Sequence, residues 1–196
     1  GEALDAVGPY DLRDDFVVQG LTMEELVERI PEDTKIIGVG CMFSFYWPIT
    51  RLVIENIRAR FPDALIVIGG EHVTALPEFS LGDSPADVAV LGEGEETFLA
   101  LLNAWDTEQP LADVPGLAFK HKGEIVNTGL SARTRDIDSI PFPDWDSFPI
   151  EEYISRHQTN GLNMGRSMPI LTTRGCPYRC TFCSSPDMWT TRYVQH

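Results

Sequence analysis

Three of the chain's four cysteines stand within eight residues, Cys176-Pro177-Tyr178-Arg179-Cys180-Thr181-Phe182-Cys183. Thiolates are soft ligands, suited to iron–sulfur clusters and to zinc. At these spacings the three sulfurs can converge on one small inorganic body. Structural zinc takes four ligands, usually as two separated pairs. The fourth cysteine, Cys41, lies far back in the chain. The spacing therefore favours a cluster, with a zinc-stapled domain as the rival reading. Three ligands on a cubane leave one iron open for chemistry.

The composition narrows the partners. The 196 residues carry 15 basic and 30 acidic side chains, a net charge of −15. That charge argues against nucleic acid or an anionic membrane as the main partner and leaves a small-molecule substrate. No apolar run approaches the ~18 residues of a membrane span. The opening Gly1-Glu2-Ala3-Leu4-Asp5 has neither the basic start nor the apolar stretch of a secretory signal. Few, clustered cysteines then point to a reducing compartment, so a cytoplasmic location is expected.

The elements that must position this chemistry are legible in the patterning. Thr22-Met23-Glu24-Glu25 has capping-box spacing, followed by an apolar face of Met23, Leu26, Val27 and Ile30. Lys35–Gly40, Ala64–Ile68 and Asp87–Leu91 read as strands buried on both faces. Between them, Ile49 to Phe61 predicts a helix with Ile49, Leu52, Val53, Ile57 and Phe61 on its apolar stripe. A further helix follows Glu95 and Glu96, with Phe98, Leu99, Leu101, Leu102 and Trp105 inward. Alternating strands and helices imply a doubly wound, mainly parallel α/β sheet.

Ligands of such sheets sit beyond the carboxyl ends of the strands. Here those ends are Gly40-Cys41-Met42, Gly69-Gly70-Glu71-His72 and Gly92-Glu93-Gly94. Taken singly, each glycine loop could be only a tight turn. Cys41 is equally a small buried apolar residue or a neighbour of a ligand, and His72 reads as a partly exposed loop residue. For Met42, Phe43, Phe45, Tyr46 and Trp47, core packing is the expectation for any one of them. After Pro110 the character changes. Gly116–Asn127 reads as a β-hairpin, and the stretch with Pro141, Pro143 and Pro149 as an extended strap. Pro169–Thr173 predicts one more strand, leading into the cysteines.

Thr172-Thr173-Arg174-Gly175 and the C-x₃-C-x₂-C run resemble the cluster loop of radical S-adenosylmethionine enzymes. The stretches Val67–Pro77 and Leu91–Phe98 are similar to the cobalamin-binding domain that precedes the barrel in one branch of that family. The resemblance implies a Rossmann/flavodoxin-like cobalamin-binding domain over 1–108, with its first strand missing. A hairpin and Pro-rich linker over 109–165 follows, then the first strand and cluster loop of a truncated (β/α) barrel over 166–196. A piece cut at both ends, with a sheet weakened near residues 1–10 and inactive by itself, is the corresponding expectation.

For the cofactors, the resemblance implies a 4Fe–4S cluster on Cys176, Cys180 and Cys183. Its open iron is chelated by S-adenosylmethionine, with Phe182 beside the adenine. Cobalamin is implied at Gly40, Cys41, Met42, Ser44, Gly69, Gly70, Glu71, His72, Gly92, Glu93 and Gly94, base-off and with no strong histidine ligand from the protein. The implied reaction is reductive cleavage of S-adenosylmethionine and methyl transfer to an unactivated carbon, fed by a flavodoxin or ferredoxin. An anaerobic oxidative cyclase or ring-rearranging enzyme is the alternative, and a non-catalytic cobalamin carrier a third.

Overall fold

A computed structural model describes residues 7–9, 17–156, 165–167, 170–189 and 191–195. The strands β1 (Val7–Pro9) and β2 (Val17–Gln19) pair antiparallel as a ribbon of their own. Residues 1–6 and 10–16, where much of the expected weakening falls, lie outside the described residues. Helix α1 (Met23–Glu28) starts as its sequence dictates. The Thr22 hydroxyl accepts from the Glu25 amide at 3.1 Å, and the Glu25 carboxylate accepts from the Thr22 amide at 2.8 Å.

The main sheet is mixed but mostly parallel where it matters. Strands β3 (Ile36–Gly40), β4 (Leu65–Gly69) and β5 (Val88–Val90) run parallel, with Gly40 opposite Gly69 and Gly69 opposite Val90. Strands β6 (Leu117–His121) and β7 (Glu124–Asn127) add on antiparallel, in the order β3-β4-β5-β6-β7. The hairpin that the sequence assigned to the linker is thus the continuation of the sheet. β3 departs from its expected two-sided burial: Gly38 and Gly40 are exposed. It is the outer strand of the described sheet, and its glycines bring no side chain to bury.

Helices cover both faces. Along β4, Ile66 and Ile68 face one layer, with Ile54, Ile57, Val73 and Leu81, while Leu65 and Val67 face the other, with Leu101 and Ala104. Helix α2 (Trp47–Arg60) begins two residues earlier than its periodicity suggested. Its buried face is Trp47, Thr50, Ile54 and Ile57, with Val53 packed at its margin, rather than a stripe through Ile49 and Leu52. The indole of Trp47 donates to Asp83 at 2.9 Å and fixes this rotation. Thr50 can be inside because its hydroxyl donates back to the Tyr46 carbonyl at 3.1 Å. Two short helices follow β4, α3 (Glu71–Ala75) and α4 (Pro77–Gly82). Helix α5 (Gly94–Asp106) buries Thr97, Leu101 and Ala104, while Leu99 and Trp105, expected inside, are exposed.

The end of the sheet where β4 and β5 begin is tied by charge. Arg58 of α2 donates to the carbonyls of Pro62 and Ala64, both at 2.8 Å, and to that of Pro85. It also pairs with Asp87, whose carboxylate accepts from the Ile66 amide at 2.8 Å. Beyond the hairpin the strap is pinned by Ile137, which is buried, and continues to α6 (Ile150–Ser155). In the cysteine segment, β8 (Thr173–Arg174) pairs antiparallel with β9 (Val194–Gln195), and α7 (Ser185–Trp189) lies between them. Of the expected Pro169–Thr173 strand only Thr173 is in a ladder, and Pro169 is outside the described residues. Among the described residues, no helix is long and apolar enough to cross a membrane.

The rotation of α2 is directly testable. Ile54→Ala removes a fully buried side chain and should cost about 2–5 kcal/mol in urea unfolding. Ile49→Ala, at a half-buried position, should cost less than half as much. Equal losses would contradict the assigned face.

Candidate functional site

The carboxyl ends of β3 and β4 meet backbone to backbone. The Cys41 amide donates to the Gly69 carbonyl at 2.8 Å, and the His72 amide donates to the Cys41 carbonyl at 3.3 Å. Gly70 sits between them at φ +105°. A Cβ there would fall 2.5 Å from the Cys41 carbonyl oxygen, so only glycine fits. Cys41 is buried, and its thiol donates to the Phe43 carbonyl at 3.5 Å. Gly40 is exposed and faces open space.

His72 is not the loop residue that its sequence context suggested. It lies in α3 with 3% of its surface exposed. Its ring packs 4.8 Å from that of Trp47, and Nδ1 stands 2.9 Å from the Ser44 hydroxyl. Nε2 is buried and has no hydrogen-bond partner among the described residues. Burial lowers the imidazole pKa. The aromatic stretch also differs from expectation. Trp47 is core, but Met42, Phe43, Phe45 and Tyr46 are exposed and form one apolar surface, with the Phe45 and Tyr46 rings 3.9 Å apart. They follow β3 where the chain leaves the sheet, and among the described residues no second layer covers them.

The third loop is engaged with other parts of the chain. The Gly92 amide donates to the Thr74 hydroxyl at 2.9 Å, and Gly92 has φ +71°. A small cleft here is lined by Leu91, Gly92, Leu130, Arg133 and Met188, together with Glu93. Glu93 precedes α5 in extended backbone but does not cap it with its side chain. Its carboxylate accepts from Arg133 Nε at 3.1 Å and Nη2 at 3.0 Å, and lies 3.6 Å from Arg174 Nη1. Arg174 Nη2 donates to Glu95 at 2.6 Å. Burial pushes the Glu95 carboxyl upward, but the Arg174 hydrogen bond and charge outweigh it and leave the group below its usual value. The sequence assigns no site role to Arg133, and it marks Glu95 only as a helix-start residue and Arg174 only as part of the run before the cysteines. The only signal for them is three glutamates after Gly92 in a chain whose cysteine segment is rich in arginine.

The segments flanking the cysteines dock on this edge, through Arg174 before them and Ser184 and Met188 after them. Gly175 turns at φ +84° under the Arg192 carbonyl, placing Cys176 half-buried and Cys180 and Cys183 exposed. The Cys183 amide donates to the Cys180 carbonyl at 3.1 Å. Hydrogen bonds from the Ser185 side chain and backbone lower the Cys183 thiol pKa. Phe182 is 91% exposed. Helix α7 packs on α3, the Ser184 hydroxyl donates to Glu71, and Met188 is buried. Among the described residues, no three His, Cys, Asp or Glu side chains are drawn together tightly enough to hold a metal ion. The donor set nevertheless suits an iron–sulfur cluster: three thiols, none in a disulfide, on one short loop.

Residues 11–102 match the B12 binding domain family. The chain is 30% identical over 190 residues to an uncharacterised methyltransferase of Pyrococcus horikoshii, covering 93% of this chain and 38% of that protein. It is 38% identical over 183 residues to the anaerobic magnesium-protoporphyrin IX monomethyl ester cyclase of Cereibacter sphaeroides, covering 91% of this chain and 28% of that enzyme. The chain is a relative of the cobalamin-dependent radical S-adenosylmethionine enzymes. It spans only about a third of the length of these two relatives. Its fold is similar to that of part of the cobalamin-dependent S-adenosylmethionine radical enzyme OxsB, with a TM-score of 0.71 at 22% identity, over 89% of this chain and 23% of that one.

Two expectations follow from the edge geometry. Gly70→Ala should destabilise the fold by more than the ~1–2 kcal/mol of a left-handed residue, because backbone must also move. Gly69→Ala meets only ordinary contacts, with the Val90 carbonyl at 3.6 Å, and should be tolerated; equal cost by urea unfolding would contradict this. For His72, the folded pKa lies below the ordinary 6.5, so the unfolded chain binds a proton that the native chain refuses. Stability is full above that pH and falls as pH drops through and below 6.5. His72→Gln should flatten this loss in urea titrations at pH 7.5 and 5.5.

Proposed function

We propose that the chain seats cobalamin on the carboxyl edge of its sheet and a 4Fe–4S cluster on Cys176, Cys180 and Cys183 directly above it. The observation that carries the reading is the packing of α7, just past the last cysteine, on α3 and the Gly92 turn. It puts the candidate cluster loop and the glycine loops at one end of the sheet. A B12 binding domain and relatives that include methyltransferases and a cyclase support the same pairing.

The residues divide the work. Gly40 faces open space and lets a large planar ligand approach backbone, Gly69 and Gly70 bring the ends of β3 and β4 together to form the floor beneath it, and Met42 with the exposed aromatic surface offers it an apolar wall. Cys41, Ser44 and His72 shape that wall from beneath. Glu71 and the Gly92-Glu93-Gly94 turn border it on the other side. Phe182 is exposed on the cysteine loop, where it can cover the adenine of S-adenosylmethionine. When bound, the cofactors supply reductive cleavage of S-adenosylmethionine and a transferable methyl group, a division between protein and cofactor that is general.

Methyl transfer to an unactivated carbon of a small molecule is the leading reaction, with a flavodoxin or ferredoxin as electron donor in the cytoplasm. The division into 1–108, 109–165 and 166–196 is kept for cofactor roles, although the sheet itself runs on through β7. A cyclisation is the second reading, favoured by the 38% identity to the cyclase. Isotope-labelled S-adenosylmethionine methyl separates the two: label in the product supports transfer, and an unlabelled cyclised product supports the second.

Anaerobic reconstitution with iron and sulfide should give a brown, oxygen-sensitive protein, and added hydroxocobalamin should bind with a changed visible spectrum. Cys180→Ala should lose the brown colour. Zinc without iron or sulfide in the wild type, or full colour in the variant, sinks the proposal.

A further inference from the structure

We infer that Glu93 and Glu95 are positioning residues that hold the cysteine loop on the sheet edge through Arg174, so that cluster and cobalamin binding reinforce each other. The second half rests on the function proposed above; the first half does not.

Arg174 stands two residues ahead of Cys176 and is 13% exposed. It donates to Glu95 at 2.6 Å, lies 3.6 Å from Glu93, and stacks its guanidinium 5.3 Å from the Trp189 ring centroid. Arg133 arrives from the strap. It binds Glu93 through two nitrogens and donates to the carbonyls of Arg192 and Trp189. One carboxylate on the Gly92 turn thus holds two guanidiniums, and each of them also grips the cysteine segment. The charges favour this docking. Residues 166–196 hold four arginines and one aspartate, in a chain of net charge −15, and through Arg174 they meet Glu93 and Glu95. Glu93, Arg133 and Arg174 are largely shielded from the water that weakens surface pairs, while Glu95 is 41% exposed and its pair with Arg174 is correspondingly weaker.

Two atoms in the network stand out. Glu93 Oε2 and Arg174 Nη1 are buried, and neither has a hydrogen-bond partner among the described residues. Buried polar atoms without partners are costly and call for an explanation. The nearest atoms of this pair, Arg174 Nη1 and Glu93 Oε1, stand 3.6 Å apart rather than at hydrogen-bonding distance. A small approach of Arg174 to Glu93 would give Nη1 an acceptor. Seating the cysteine loop around a cluster is the movement that brings Arg174 in. Glu93 directly follows Gly92, whose amide is already fixed by Thr74, so closure is felt at the proposed corrinoid edge. Such a coupling must be reciprocal.

The first test is hydrogen exchange on the intact, cofactor-free chain. Glu93→Gln and Arg174→Gln should speed exchange across residues 173–189 by about tenfold and leave Leu65–Gly69 unchanged. If Leu65–Gly69 also loosens, Arg174→Lys, which keeps the charge but loses the planar fork, is read instead, with the same expectation. Unchanged exchange at 173–189 in the variant read overturns the inference. The second test is hydroxocobalamin affinity with and without the reconstituted cluster. The wild type should bind about fivefold or more tightly with the cluster present. In Arg174→Gln and Glu95→Gln that ratio should fall toward one while iron and sulfide content is kept. A wild-type ratio of one, or an undiminished ratio in the variants, overturns the coupling. If the wild type takes up no hydroxocobalamin or no iron, the proposed function and the coupling built on it fail together. The exchange result then still decides the anchoring.

Discussion

Parallel strands cannot be joined by tight turns; each must be followed by a crossover that returns the chain to the same starting end. In this protein the requirement gathers Gly40, Gly69 and Val90 in register at one edge. It also forces the connections that follow them, 41–46, 70–76 and 91–93, to lie side by side. Every candidate ligand contact outside the cysteine loop is on one of these connections or the strand end before it, except Gly94, which opens α5. The backbone meeting of Cys41 with Gly70 is the tightest expression of that crowding, and it leaves no space for a side chain between β3 and β4.

The overall architecture was legible because it depends on period and punctuation. The capping box at Thr22 and Glu25, the apolar runs of β4 and β5, and the hairpin turn before Glu124 are local signals, and local physics is enough to produce them. What depended on distant partners was not legible. The face of α2 is set by a hydrogen bond from Trp47 to Asp83, thirty-six residues away, and by a threonine that hides its hydroxyl within the helix. His72 looks like a loop residue until Trp47 is packed against it. The exposure of Phe43, Phe45 and Tyr46 runs against their hydrophobicity, and only the course of the chain beyond β3 explains it.

The candidate site was legible in part for the same reason. Three cysteines within one short loop stand out as a candidate ligand set, because their spacing is a local feature of the sequence. The arginines that serve the loop do not. Arg133 lies forty residues from Glu93, and Arg174 lies seventy-nine from Glu95. Long flexible cations of this kind read as solvated surface until the fold brings two acidic neighbours to them.

The bolts at the opposite end of the sheet bear on how this site can move. Arg58, Asp87 and Lys120 clamp the starts of β4 and β5 and the loop before β5 to one another through backbone carbonyls and amides. That pole therefore resists deformation. Any rearrangement needed to admit a macrocycle as wide as a corrin is pushed to the far pole, into the aromatic connection after β3 and the short helix after β4.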